Sequence, residues 1–151
     1  MSTDLTTFFR LSFVTSEVAV PVPTIAEVLA LVRSRPVWDI ATISPAGAQF
    51  PVVHVECRDG KGFVIQCFED EKSLSDFLVS SLCFSAPSIE VELGGQALER
   101  WPSELVVPAS LAHQALGFFL QSGKQDPALH WVSVDAFPRE TIWEGGEGKG
   151  A

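Results

Sequence analysis

The sequence predicts an α+β fold: a largely antiparallel sheet of about five to seven strands with two main helices packed on it. Two stretches show helical periodicity with end signals, near residues 24–36 and 108–123. Between them, strand-like segments follow one another over hairpin-length links. That order (strand, helix, four to six strands, helix, strand) differs from the alternation that builds parallel sheets.

In chain order, Thr6 to Thr15 is rich in aromatic and β-branched residues and reads as a first strand. Pro21 and Pro23 end the connection after it. Thr24 with Glu27 three residues on forms a capping box, and Ile25, Val28, Leu29 and Val32 make a buried stripe. Arg33 and Arg35 stand at the negative end of that helix, and Pro36 stops it. Val37 to Ser44 is a second strand, ending in the turn Pro45-Ala46-Gly47. Gln49 to Arg58 and Phe63 to Phe68 form a hairpin. A loop over Gly60 to Gly62 sets Cys57 opposite Ile65 and Val55 opposite Cys67, with Gly62 at positive φ. Both cysteines are then core residues.

Glu69 to Lys72 is a charged loop. Leu74 to Phe84 suits a helix or a strand, and its Val-Ser-Ser-Leu-Cys-Phe end favours strand. Ser88 to Leu93 alternates apolar residues with Glu90 and Glu92, as a half-buried strand does. Gly94-Gly95 breaks it, Ala97 to Ser103 is a loop or short hairpin, and Glu104 to Val107 is a short strand. Pro108 then opens the longer helix in its first turn, with Leu111, Ala115, Phe118 and Ser122 along its apolar face and Ala112 and Phe119 alongside. Gly123 is its left-handed C-terminal residue, with Lys124 beside it. After a polar break at Lys124 to Asp126, Leu129 and Trp131 begin a last strand, with Trp131 buried between helix and sheet. Residues 1–144 are expected to form one domain and residues 145–151 a flexible Gly-rich tail.

Composition narrows the function. Of 151 residues, 46% are hydrophobic, enough for a core. A formal charge of −9 argues against nucleic-acid binding, which needs clustered Lys and Arg, and suits a basic partner. No stretch reaches the ~20 apolar residues of a membrane helix, and no signal peptide opens the chain. Cys57, Cys67 and Cys83 fit neither a disulfide framework nor a zinc site, so the expected location is the cytoplasm. His54, His113 and His130 have no metal-ligand spacing, the GGEGKG tail lacks the full phosphate-loop spacing, and nothing visible activates Cys83. The expectation is a protein that is no enzyme and carries no cofactor or metal.

Two features fit a binding surface. Glu69, Asp70, Glu71 and Asp76 group carboxylates near one loop; a solvated turn explains them better than paired catalytic carboxylates do, and its exposure is what a protein-binding surface needs. Trp101, beside Glu99 and Arg100, is either an interface anchor or a cap on the core at a sheet edge.

The strand pair through Phe63–Phe68, the Glu92-Leu93-Gly94-Gly95 break, the helix carrying Gly117-Phe118-Phe119 and the closing Pro127-Ala128-Leu129-His130-Trp131 together resemble the immunity protein 1 family. A capped helix followed by Val37-Trp38 matches it as well. The resemblance spans about residues 23 to 134 and leaves out the first strand and the chain after Phe137. It implies a cytoplasmic antidote of a bacterial polymorphic toxin system, which binds a cognate toxin domain, often a nucleic-acid deaminase, and occludes its active site or substrate groove. Phe118, Phe119, Leu129 and Trp131 are then fold residues. Toxin-binding candidates are Glu69, Asp70, Glu71, Asp76, Glu90, Glu92, Glu99, Arg100 and Trp101. The alternative is a small non-catalytic adaptor or regulatory binding module.

Overall fold

The computed structural model describes residues 9–13, 20–21, 24–35, 40–45, 47–58, 62–72, 75–84, 87–91 and 99–133, with backbone alone at 20–21, 87–91 and 99–101. The elements are β1 (Phe9–Phe13), β2 (Val20–Pro21), α1 (Ile25–Arg33), β3 (Ala41–Pro45), β4 (Val52–Arg58), β5 (Gly62–Phe68), β6 (Asp76–Val79), β7 (Pro87–Val91), β8 (Glu99–Pro102), α2 (Ala109–Ser122) and β9 (His130–Ser133). Seven strands form one sheet in the order β2-β1-β3-β4-β5-β6-β9, every pair antiparallel, while β7 and β8 form a separate hairpin. The fold is α+β, as the order of segments predicts.

Both helices lie on one face of the sheet. Val28, Leu29 and Val32 of α1, and Ala112, Ala115, Leu116 and Phe119 of α2, share a core with Leu11, Ile43, Val53, Val55, Phe63, Ile65 and Leu78. The helices approach so closely that a Cβ on Gly117 would lie 3.1 Å from Ile25 Cδ1. Alternate residues of the strands face the other side. There Val64, Phe77 and Val79 meet Leu105 in a second, smaller cluster.

The α1 capping box forms as its sequence requires: Thr24 Oγ1 accepts from the Glu27 N–H at 3.1 Å and Glu27 Oε1 accepts from the Thr24 N–H at 2.9 Å. Arg33 and Arg35 place their guanidinium groups over the Phe63 and Phe13 rings, at 5.2 and 4.1 Å from the centroids, and so cover the end of the core. The Pro45 turn closes through the Ala48 N–H donating to Pro45 O at 3.2 Å, with Gly47 at φ +88°. Leu74 to Phe84 resolves to strand over Asp76–Val79 only. Within Ala97 to Ser103 a short strand pairs with β7. Residues 6–8 and 14–15 of the expected first strand, Val37-Trp38, Glu92 to Leu98 and everything after Ser133, the Gly-rich tail included, lie outside the described residues.

Four local expectations are corrected. The β4–β5 register sets Val55 opposite Ile65, Val53 opposite Cys67 and Cys57 opposite Phe63, two residues from the expected alignment. A two-residue slip preserves which face each side chain occupies, so the apolar pattern alone does not distinguish the registers. Gly62 decides it. It belongs to β5 at φ +138°, where a Cβ would stand 2.3 Å from Val107 O. Only glycine lets Val107 run across the start of β5, where Phe63 and Val107 exchange N–H···O bonds of 2.8 Å in both directions. Second, Glu104 to Val107 is no strand. Ser103–Leu105 is a 3-10 turn, and only Val107 bridges to the sheet. Third, Pro108 is the N-cap of α2 at ψ 163°, one residue before the helix, and its carbonyl accepts from Ala112. Fourth, Trp131 is half-buried, because its indole N–H reaches outward to Asp126 O at 3.0 Å. Gly123 is left-handed at φ +72°, as expected, and donates to Phe119 O at 2.7 Å.

Gly62→Ala should therefore cost at least ~2 kcal/mol, from the unfavourable φ together with the contact on Val107. Gly47→Ala, with nothing within 4 Å of the added Cβ, should lose only about 1–2 kcal/mol of backbone conformational energy. Urea midpoints of the two variants check the ranking, and equal losses would place Val107 elsewhere.

Candidate functional site

The β5–β6 link presents Glu69, Asp70, Glu71 and Lys72 to solvent. Asp70 Oδ1 accepts from the Lys72 N–H at 2.9 Å, an Asx-type turn that fixes the loop backbone and leaves its carboxylates outside. Asp76, the first residue of β6, is half-buried and pairs with Cys67 on one side and Ser133 on the other.

Beside Asp76 the surface sinks into a cavity of about 230 Å³ lined by Pro51, Cys67, Glu69, Asp76, Gly123, Lys124 and Gln125. These residues come from the start of β4, the end of β5, the β5–β6 link, the start of β6 and the α2–β9 connection. Gln125 spans the cavity: its Nε2 donates to Asp76 Oδ2 at 2.8 Å, and its side chain shares the lining with Cys67. Asp76 Oδ1 has no partner among the described residues.

The α2–β9 connection is held in place by Asp126, a buried carboxylate. Its Oδ2 accepts from Gln114 Nε2 at 3.1 Å and its Oδ1 from the Ala128 N–H at 2.9 Å. Its carbonyl accepts from the Leu129 N–H at 3.1 Å and from the Trp131 indole at 3.0 Å. One residue thus ties the helix, the turn and the edge strand together, and so presents its neighbour Gln125 to Asp76.

Burial pushes the Cys67 thiol up to about 11, against the relief that the Gln125 side chain gives; the nearby Asp76 and Glu69 charges push in the same direction as burial. At neutral pH it is a protonated, 4% exposed group at the back of the cavity. Cys57 is half-buried and Cys83 exposed; all three cysteines are free thiols.

On the opposite face of β4, His54 packs its ring 4.9 Å from that of Phe68, and burial lowers its pKa. Glu56, two residues along, is raised by burial and partly compensated by Arg58, whose Nε lies 3.3 Å from Glu56 Oε2. His54 and Glu56 extend no cluster with the cavity, which opens on the helix-covered face. Among the described residues no three His, Cys, Asp or Glu side chains group as metal ligands, and no helix is long and apolar enough to cross a membrane.

Of the candidates from the sequence, Glu69 and Asp76 meet at the cavity, and Asp70 and Glu71 stand on the loop beside it. Glu90, Glu99, Arg100 and Trp101 belong to the β7–β8 hairpin, where Glu90 pairs with Arg100 and Ile89 with Trp101 in backbone register. Glu92 lies outside the described residues. The hairpin joins the sheet through the 3-10 turn, where the Ser80 N–H donates to Glu104 O at 2.9 Å. That junction at Ser80 and Asp76 therefore flank opposite ends of β6, roughly 13 Å apart at the usual strand rise. Sequence reasoning missed Gln125 and the part played by Asp126. Asp126 before Pro127 carries a turn signal, but Gln125 has none, since its partner is 49 residues away.

No protein-family model matches this chain, and no curated protein or solved structure matches it.

Two outcomes follow from the geometry. With its pKa near 11, Cys67 should resist thiol reagents at pH 8 while Cys83 reacts at once. The Cys67 rate should climb about tenfold per pH unit towards 10, as the thiolate fraction does. Its raised value also favours the fold fully below the ordinary value of 9.0, a contribution lost as pH rises from there towards 11. Mass spectrometry of timed labelling reads both cysteines. Separately, Asp126→Ala should cost about 1.5–3 kcal/mol by stranding the Ala128 N–H and Gln114, measurable by denaturation.

Proposed function

We propose that this chain is a cytoplasmic antidote that binds and neutralises a cognate toxin domain, one acting on nucleic acid and of the deaminase type. The observation that carries this reading is the exposed carboxylate group Glu69, Asp70 and Glu71 beside the half-buried Asp76, in a chain of net charge −9. The resemblance to the immunity protein 1 family supplies the toxin. A domain that works on DNA or RNA presents a basic groove, and an acidic surface is drawn to it over distances of about a Debye length. The antidote then lies across the active site or substrate groove and excludes the nucleic acid.

In this reading the exposed loop charges govern encounter, and the grip comes from groups that lose water in the complex. Trp101, with Glu99 and Arg100 on the β7–β8 hairpin and Glu90 beside them in register, offers a second contact region.

Charge reversal at Glu69, Asp70 and Glu71 together should slow association with a cognate toxin domain by about tenfold or more at low salt and flatten its salt dependence, with the chain still folded and only the small stability loss that opening the Asp70–Lys72 turn brings. Trp101→Ala should weaken the complex by at least ~2 kcal/mol, seen as faster dissociation. Surface plasmon resonance separates the two rates, and survival of cells expressing the toxin gives the biological readout. A toxin domain that forms no complex with the unaltered chain overturns the antidote reading; a complex indifferent to all four substitutions moves the interface.

A further inference from the structure

We infer that the cavity between the β5–β6 link and the α2–β9 connection is a receptor for a guanidinium group, the arginine side chain of a protein partner. The arginine's source rests on the antidote reading; the cavity's chemistry does not.

The sign of the ligand follows from which polar groups are already engaged. At the Gly123–Lys124 turn the backbone donors are used: the Gly123 N–H donates to Phe119 O at 2.7 Å and the Lys124 N–H to Ser122 Oγ at 3.1 Å, so that turn offers an anion no open pair of amides. What remains open is acceptor capacity, in Asp76 Oδ1 and the Glu69 carboxylate. The C-terminal end of α2 also adjoins the cavity through Gly123, and its unpaired carbonyls add the negative end of a helix dipole. Carboxylates, free acceptors and helix terminus all favour a cation.

The shape favours guanidinium over ammonium. Pro51, Gly123 and the buried Cys67 make part of the lining apolar. A compact, strongly hydrated ammonium gains little from such a surface, whereas a planar, weakly hydrated guanidinium lies flat on it while its N–H groups reach a carboxylate edge. Asp76 is ready for that contact, since Gln125 holds one of its oxygens at 2.8 Å and leaves the other free. A volume of about 230 Å³ accommodates the group together with part of its aliphatic stem. Lys124, exposed at the rim, opposes the ligand, but its flexible stem can carry the ammonium out to solvent.

The full chain, titrated with methylguanidinium and followed by ¹H–¹⁵N correlation spectra, tests this without any partner. Saturable shifts are expected at the Gly123 and Lys124 amides and the Gln125 side-chain amide, with methylammonium binding severalfold more weakly. Asp76→Asn, which keeps the shape, should weaken binding roughly tenfold. Lys124→Gln should tighten it about two- to threefold, and Glu27→Gln, outside the lining and able to keep the α1 capping box, should leave it unchanged. No saturable shift at these three residues, equal or tighter methylammonium binding, or an undiminished affinity in a folded Asp76→Asn variant would each overturn the inference. None of these outcomes touches the antidote reading, which stands or falls on complex formation with the toxin domain.

Discussion

Four hydrogen bonds to Asp126 hold the point where the helical layer returns to the sheet. After Gly123 turns the chain out of α2, only six residues, 124 to 129, separate it from β9 at the sheet edge. So short a connection has few conformations, and a buried aspartate whose carboxylate satisfies a helix side chain and one loop amide, and whose carbonyl satisfies a second amide and an indole, selects one of them. Two consequences follow together. β9 is delivered in register against β6, with Trp131 opposite Leu78, and Gln125 is turned towards Asp76. Edge-strand placement and cavity formation thus share one cause, so a change at Asp126 is felt in both stability and site geometry.

The other close constraint lies at the opposite end of β5. Val107 crosses Gly62 too tightly for any side chain, and the reciprocal bonds with Phe63 fasten the segment that enters α2. α2 is therefore tied to the sheet near both ends, to β5 by Val107 before it and to β6 by the Gln125–Asp76 hydrogen bond after it. Between these ties Ala112, Ala115, Leu116 and Phe119 press onto the sheet core, and small residues permit the close approach. The helix is fixed in position, and the cavity at its end inherits that rigidity.

Much of this was legible in the chain. The capping box at Thr24 and Glu27 and the left-handed Gly123 are local signals, and local signals describe local geometry. Alternation in β4 and β5 identified the buried face, since face depends only on parity; the register did not follow, because Val107 enters from more than forty residues away and decides it. Glu104 to Val107 reads as strand in composition and becomes a 3-10 turn because its apolar residues divide between layers: Leu105 joins the outer cluster and Val107 the main core. At the site, the exposure of Glu69, Asp70 and Glu71 could be read from their run of charge. The cavity could not, because it is assembled from five separated segments, and its key contact joins Asp76 to an undistinguished glutamine.

The division between an exposed acidic loop and a recessed carboxylate has a physical meaning of its own. Charges at Glu69 to Glu71 act through high-dielectric solvent, so they influence how partners meet and contribute little once they have met. Asp76 is half removed from water, oriented by Gln125 and backed by an apolar lining. A cation that reaches it exchanges hydration for a prearranged partner, which resists departure and discriminates by shape. Because Gln125 is already seated, little ordering remains to be done on binding. Loop and cavity adjoin through Glu69, which belongs to both, so in the proposed complex a basic group drawn in by the first would be brought directly to the second.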